Sequence, residues 1–449
     1  MNRIPLAACV GMVFLLLATA PARALDADLG RYLVAKQQQI RDFADTITNK
    51  VPAVVWRFYD AVRVDDWETA TNVYDRIRLA SHRYAETTND DAITPALGTL
   101  VWPPLMESFG SYERFHHTNA KWLHRFGDGI IASIPRGGVY LGGTDPGRFV
   151  VSALCESQVE GKPFFTLTQN QLADGTYLDY LRAMYGKKIH LFTAADSQNF
   201  FTDYSTDADR REKQGRLKPG EQVARDKNGR VQISGQVSVM EINGLMAQKI
   251  FEDNPGREFF VEESFPLDWM YPHLTPHGLI MQLNRKPLES ISVSDMDGDR
   301  DYWKKLFAEM FGGWLDEKTP VKDVCDFAEK YGLGKNLENF KGDQAFAGDA
   351  DSRKCFSKLR SSQAGLFAWR AEHTKDADER DRMYRAADLA FRQAYVICPY
   401  SPEALYRYIN LFLQRGRTDD AALLARTSLH LQPDNQQFKM LLDQLLKTK

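Results

Sequence analysis

Apolar residues return at steps of three and four from Leu29 to Ile47, through Tyr32, Leu33, Ile40, Phe43 and Ala44, and that spacing predicts an amphipathic helix. The same period predicts a helical hairpin, with arms at 52–63 and 67–80 joined by Val64-Asp65-Asp66, and a further helix over 104–126. From Gly127 to about Arg285 the pattern changes to short apolar runs at 138–141, 164–168, 189–192, 258–262 and 278–283, alternating with helical stretches at 146–158, 176–185 and 236–253. Alternation of this kind predicts a three-layer α/β domain with a mainly parallel sheet. The charged segment 202–230, with the turn signal Asp226-Lys227-Asn228-Gly229, reads as an exposed insertion.

Beyond a helix predicted at 302–311, spacing and small-residue character repeat together. Ala387, Phe391, Ala394 and Pro399 return 34 residues later as Ala421, Ala425, Ser428 and Pro433. This resembles the tetratricopeptide repeat, in which small residues let the two helices of a unit approach and a proline ends the second. Ala425 departs from the pattern, because an aromatic belongs there. Ala364, Gly365 and Ala368 fit the first helix of an earlier unit if 374–382 is an insertion, and 438–446 fits a closing helix. The fold class expected is therefore multidomain α and α/β. A helical region covers 25–127, a Rossmann-like α/β domain 128–290, a helical linker 291–355 and repeats of tetratricopeptide type 356–449.

Residues 1–24 read as a leader. Arg3 precedes an apolar run from Ile4 to Ala20, and Ala22-Arg23-Ala24 places small residues at both key cleavage positions, which predicts a signal peptide cut after Ala24 and a periplasmic or secreted protein. The alternative is an uncleaved anchor, since a run of 17 residues is at the lower limit for spanning a bilayer; membrane attachment is expected through that leader alone. A net charge of -3 with no Lys/Arg run excludes a nucleic-acid partner. Cys155, Cys325, Cys355 and Cys398 remain after cleavage, with Cys325 and Cys355 as the favoured disulfide pair and four buried thiols as the alternative.

The stretch GVYLGGTDPGRF, 138–149, has the outline of a nucleotide-binding turn. Asp145 followed by Pro146 predicts an N-cap and a first helical residue, so the Asp145 carboxylate takes the free amides and a phosphate would meet a negative charge. The glycine spacing fits neither a dinucleotide fingerprint nor a phosphate loop, and the second run ends in Thr168-Gln169-Asn170 where a dehydrogenase would place an acid. No cofactor is expected. Ligands of open α/β sheets sit beyond the carboxyl ends of the strands. There the sequence offers Gly143, Thr144, Asp145 and Arg148 from the first turn, Thr168 and Asn170 from the second, Glu262 and Glu263 from a later one, and Asp268 and Trp269 in the loop beyond. This polar, acidic rim suits hydroxyl-rich ligands, amines or a hard cation, with Trp269, Tyr271 and Tyr177 able to stack on a sugar face. The alternative is a capping Asp145, solvated acids and core aromatics. His273 and His277 read as loop histidines, because two prolines disrupt the helix that metal ligation at that spacing needs. Asp295, Asp297, Asp299 and Asp301 alternate as in a calcium loop but lack its glycine and bidentate glutamate, so they read as a solvated turn and N-cap.

The run from Ile134 to Leu283, above all GGVYLGGTDPGRF, PFFTLTQNQLADGTYLDYLRAMYG and REFFVEESFPLDWMYPHLTPHGLIMQLNR, resembles the soluble region that follows the membrane helices of bacterial O-mannosyltransferase-like membrane proteins. It is also similar to stand-alone secreted proteins that join such a region to tetratricopeptide repeats. In the membrane-bound proteins glycosyl transfer belongs to the membrane portion, so the resemblance implies no transferase here. The function expected is an exported, non-catalytic binding or scaffold protein, with a protein or peptide partner on the repeats and a sugar-like ligand at the crevice. The alternative is a glycan-acting enzyme with Asp145 and Glu263 as acid and base.

Overall fold

The computed structural model describes residues 25–45, 51–79 and 100–447, apart from positions 219, 228, 230 and 265. The predicted leader, 1–24, lies outside the described residues. Helix α1 (Ala27–Ala44) is capped by Asp26, whose Oδ1 accepts from the Asp28 and Leu29 amides. The hairpin α2 (Ala53–Arg63) and α3 (Trp67–Leu79) turns through Asp65, at φ 54°, whose carboxylate accepts from the Tyr112 hydroxyl at 2.9 Å. The helix predicted over 104–126 is two helices, α4 (Trp102–His117) and α5 (Ala120–Ser133). Asn119 breaks it by capping α5 through the Trp122 amide, and α5 runs across the domain boundary expected at 127.

The α/β region follows in the order β1 (Val139–Gly142), α6 (Asp145–Leu154), β2 (Phe165–Thr168), α7 (Gly175–Tyr185), α8 (Ala194–Lys213), β3 (Gln222–Arg225), β4 (Val231–Ser234), α9 (Gln236–Asp253), β5 (Phe259–Glu262), β6 (Leu274–His277) and β7 (Ile280–Leu283). The main sheet has the order β2-β1-β5-β7-β6. Strands β2, β1 and β5 are parallel, while β7 and β6 join them antiparallel, so the sheet is mixed where the pattern predicted a mainly parallel one. The three parallel strands are buried throughout, which is why they read as unbroken apolar runs. The run at 189–192 is not a strand. Asn254 replaces a ladder there, accepting from the His190 amide at 2.8 Å and donating to its carbonyl at 2.9 Å. Segment 202–230 holds the end of α8 and strand β3, which pairs antiparallel with β4 just beyond it, and it buries Tyr204, Ala208 and Glu221 instead of standing clear as an insertion.

The C-terminal half is helical: α10 (Val293–Phe311), α11 (Val321–Tyr331), α12 (Gln344–Gly348), α13 (Ala350–His373), α14 (Ala377–Ile397), α15 (Pro402–Gln414), α16 (Thr418–Leu431) and α17 (Gln436–Lys447). Ser292 caps α10, so Asp295 to Asp301 lie within a helix and not in a turn before it. Asp299 is buried there against the Arg360 guanidinium at 2.8 and 3.0 Å. No insertion separates α13 from α14, because Asp376 caps α14 and the charged stretch is its first turns. The recurring small residues Ala387, Ala394, Ala421, Ala425 and Ser428 are all fully buried.

Helix α13 joins the helical half to the sheet. Gln363 donates to the Gly278 and Ile280 carbonyls at 2.8 and 3.1 Å, and Arg370 donates to the Pro272 and Leu288 carbonyls, each at 2.7 Å. Helix α11 packs on α14 and α16. A second seam ties α1 and α4 to α7, where the Lys36 ammonium lies 2.5 Å from Glu107 and the Tyr180 hydroxyl donates to the same carboxylate at 2.7 Å. Among the described residues the four cysteines, Cys155, Cys325, Cys355 and Cys398, are free thiols, and the Cys325–Cys355 pair is not formed: Cys325 faces Thr427 of α16 while Cys355 faces the cleft described below. Among the described residues no helix is long and apolar enough to cross a membrane.

Candidate functional site

The turn between β1 and α6 is built around a buried carboxylate. Glu262, the last residue of β5, is fully buried, and its Oε2 accepts from the amides of Gly143 and Thr144 at 3.2 and 3.0 Å. Its Oε1 accepts from the Thr144 hydroxyl at 2.5 Å, and Thr144 Oγ1 in turn accepts from the Gly147 amide at 3.1 Å. Thr144 is therefore the N-cap of α6, and Asp145, expected in that role, is the first helical residue with its side chain 67% exposed. Two glycines are required by contact: a Cβ at Gly147 would lie 1.7 Å from Glu262 Oε2, and one at Gly143 would lie 1.8 Å from Glu263 Oε2. Burial raises the Glu262 pKa, although the Thr144 and Gly143 bonds pull the other way. The amides that would cradle a phosphate are thus already committed, by Glu262 and Thr144 and not by Asp145.

The strand ends open on a cleft of about 400 Å³ whose far wall is α13. Gly143, Thr144, Asp145, Glu263 and Ser264 line it from the α/β side. Opposite stand Asp351, Lys354, Cys355 and Lys358 of α13, with Arg114 of α4 and Glu403 of α15 completing the wall. Lys358 pairs with Glu403 at 3.2 Å, Asp145 pairs with Arg148 at 3.1 Å, and the charge of Glu263 reaches the Arg407 guanidinium of α15. Burial pushes the Cys355 thiol up to about 12, so it carries little thiolate. The rim expected to be acidic is a cleft lined by both signs of charge.

Of the ten site residues expected from the sequence, Gly143, Thr144, Asp145 and Glu263 line this cleft. Glu262 holds the turn behind it. Asn170 supports the turn from β2, donating to the Gly143 carbonyl at 3.0 Å, while Thr168 is buried and its amide donates to the Tyr177 hydroxyl. Arg148 lies over the Phe149 ring at 4.2 Å. Asp268 is exposed and Trp269 packs on Phe251 at 5.7 Å, neither of them on the cleft. Tyr177 is core, and Tyr271 stacks on Trp369 of α13 at 5.4 Å. The ring nitrogens of His273 and His277 bond the Asn284 and Ser133 carbonyls. Arg114, Lys354, Lys358, Asp351 and Glu403 were not anticipated, and only the lysines' four-residue spacing marks them as one helix face. Among the described residues, one group of three metal-type donors lies close enough to share an ion, Asp26, Asp28 and His124, and it is away from the cleft. Asp26 already spends its carboxylate on the α1 amides and on His124 at 3.0 Å.

Comparison of the chain with protein-family models, with curated proteins and with solved structures finds no match.

Proposed function

We propose that this is an exported, non-catalytic binding protein that holds a small hydroxyl-rich ligand in the cleft between the strand ends and α13, and offers the outer faces of α15 and α16 to a partner protein. The cleft carries this reading. It carries charged side chains on both walls and is joined to both halves of the molecule, its turn amides are spent internally, no histidine lines it, and its thiol is held protonated. The leader predicted from the sequence at 1–24 supports export to the periplasm or beyond. The 34-residue recurrence, with its small residues buried at helix seams, supports two tetratricopeptide units, α13–α14 and α15–α16, closed by α17.

The second reading, a glycan-acting enzyme, is favoured by one observation: Asp145 and Glu263 share the cleft. Asp145 is a poor general acid where it stands, exposed and paired with Arg148. A thermal-shift screen separates these readings. Sugars are expected to raise Tm by about 2 °C or more at saturation, nucleotides not at all, and the shift is lost in Glu263→Gln. Stabilisation by nucleotides, or by no compound, contradicts the binding reading; turnover of an oligosaccharide that stops in Asp145→Asn installs the enzyme. Point variants are the right tool, because removing Ala387–Lys449 would strip α13 of the α14 carbonyl to which buried Arg353 donates at 2.6 Å.

A further inference from the structure

Counting acids misleads about the charge of the cleft. Asp145, Asp351 and Glu403 all stand in the first turns of helices, α6, α13 and α15, where the N-terminal dipole, worth roughly half a positive charge, favours an acid. Each also has a cation: Arg148 for Asp145, Lys358 for Glu403, and Arg114, whose guanidinium feels the charge of Asp351. Glu263 has Arg407. Arg114 also answers Glu113, so the charges around the cleft come to balance, and the group left without an ion pair is a cation. Lys354 is exposed and forms no ion pair among the described residues, and it lies one helical turn from Lys358 on the cleft face of α13. Arg114, with only 20% of its side chain exposed, spends one nitrogen on Glu113 at 3.0 Å and has no acceptor for its Nε.

We infer that the ligand is a sugar acid, with one carboxylate docked between Arg114 and Lys354 and its hydroxyls against Glu263, Ser264 and Asp145. This rests on the binding-protein reading and narrows it from hydroxyl-rich ligands at large to those carrying a single negative charge. One unanswered lysine matches one carboxylate. A phosphate monoester, at close to two charges near neutral pH, exceeds that, and its preferred seat at the β1–α6 turn is taken by Glu262.

Calorimetric titration of the protein with matched sugars tests the inference: glucose, glucosamine, glucuronate and glucose 6-phosphate, and the corresponding galactose set. The uronate of at least one set is expected to bind about tenfold or more tighter than its neutral and amino partners. Raising NaCl from 50 to 300 mM should weaken the uronate several-fold and leave the neutral sugar unchanged. In Lys354→Ala the preference for the uronate over the neutral sugar disappears. A neutral, amino or phosphorylated sugar that binds as tightly as the uronate, or a uronate preference that survives Lys354→Ala, overturns the inference and leaves the binding reading standing. If none of the eight compounds binds, both fall.

Discussion

Each helical region holds a buried charge beside its joint with the α/β domain, spanning that joint at Lys36 and lying within the helical half at Arg360, and the two use different cations. On the N-terminal side the cation is Lys36, 2% exposed, held by Glu107 and Tyr180. On the C-terminal side it is Arg360, 1% exposed, held by Asp299 with support from Gln363 and Gln393. A buried lysine can discharge, and burial already lowers the Lys36 pKa despite the pull of Glu107. A guanidinium starts so high that it keeps its charge when burial lowers it, and its fork of donors fixes several partners at once. The seam that cannot discharge belongs to α13, the helix that forms the far wall of the cleft. The cleft-lining lysines are thus carried on the helix whose buried cation keeps its charge.

The largest expected effect comes from breaking the arginine seam. Asp299→Ala leaves a buried, charged Arg360 and should cost about 3–5 kcal/mol in urea unfolding, with the same deficit at pH 7 and pH 9.5. Glu107→Gln should cost less, about 2–3 kcal/mol at pH 7, because Lys36 can shed its proton. The sign of its pH dependence follows from the lowered pKa. Between the folded value and 10.5 the unfolded chain binds more protons than the folded one, so stability rises with pH and the deficit should narrow by pH 9.5. Equal deficits for the two variants, or a Glu107→Gln deficit that ignores pH, would break the comparison. The smallest effect sharpens it at the turn: Thr144→Ala should cost about 1–2 kcal/mol as a lost cap, whereas Asp145→Ala should stay within about 0.5 kcal/mol. The reverse order would return the cap to Asp145.

These differences also explain what the sequence could reveal. The α2–α3 hairpin was legible from its period and its Val64-Asp65-Asp66 turn, and α9 was legible end to end. Strand β6 was hidden by Pro276, which a sheet tolerates at its edge, where β6 lies. The 189–192 run imitated a strand because Ile189 and Phe192 are buried, yet a side chain, Asn254, takes the hydrogen bonds of His190. At the turn, Thr144 and Asp145 are both good caps, and only the position of Glu262, 118 residues away, decides between them. The α/β side of the cleft could be placed because strand ends announce themselves locally. Its far wall could not: Arg114 and Lys354 come to one cleft by packing, and Lys354 reads in sequence as one more charged residue on a long helix.

The central claim is that the strand ends and α13 form one ligand site. A crystal structure of the protein grown with the tightest-binding compound of the matched sugar sets tests it directly. The sugar is expected in the cleft, touching Glu263 on one side and Lys354 on the other. A ligand bound elsewhere on the molecule, or in the cleft but in contact with the strand ends alone, would contradict it.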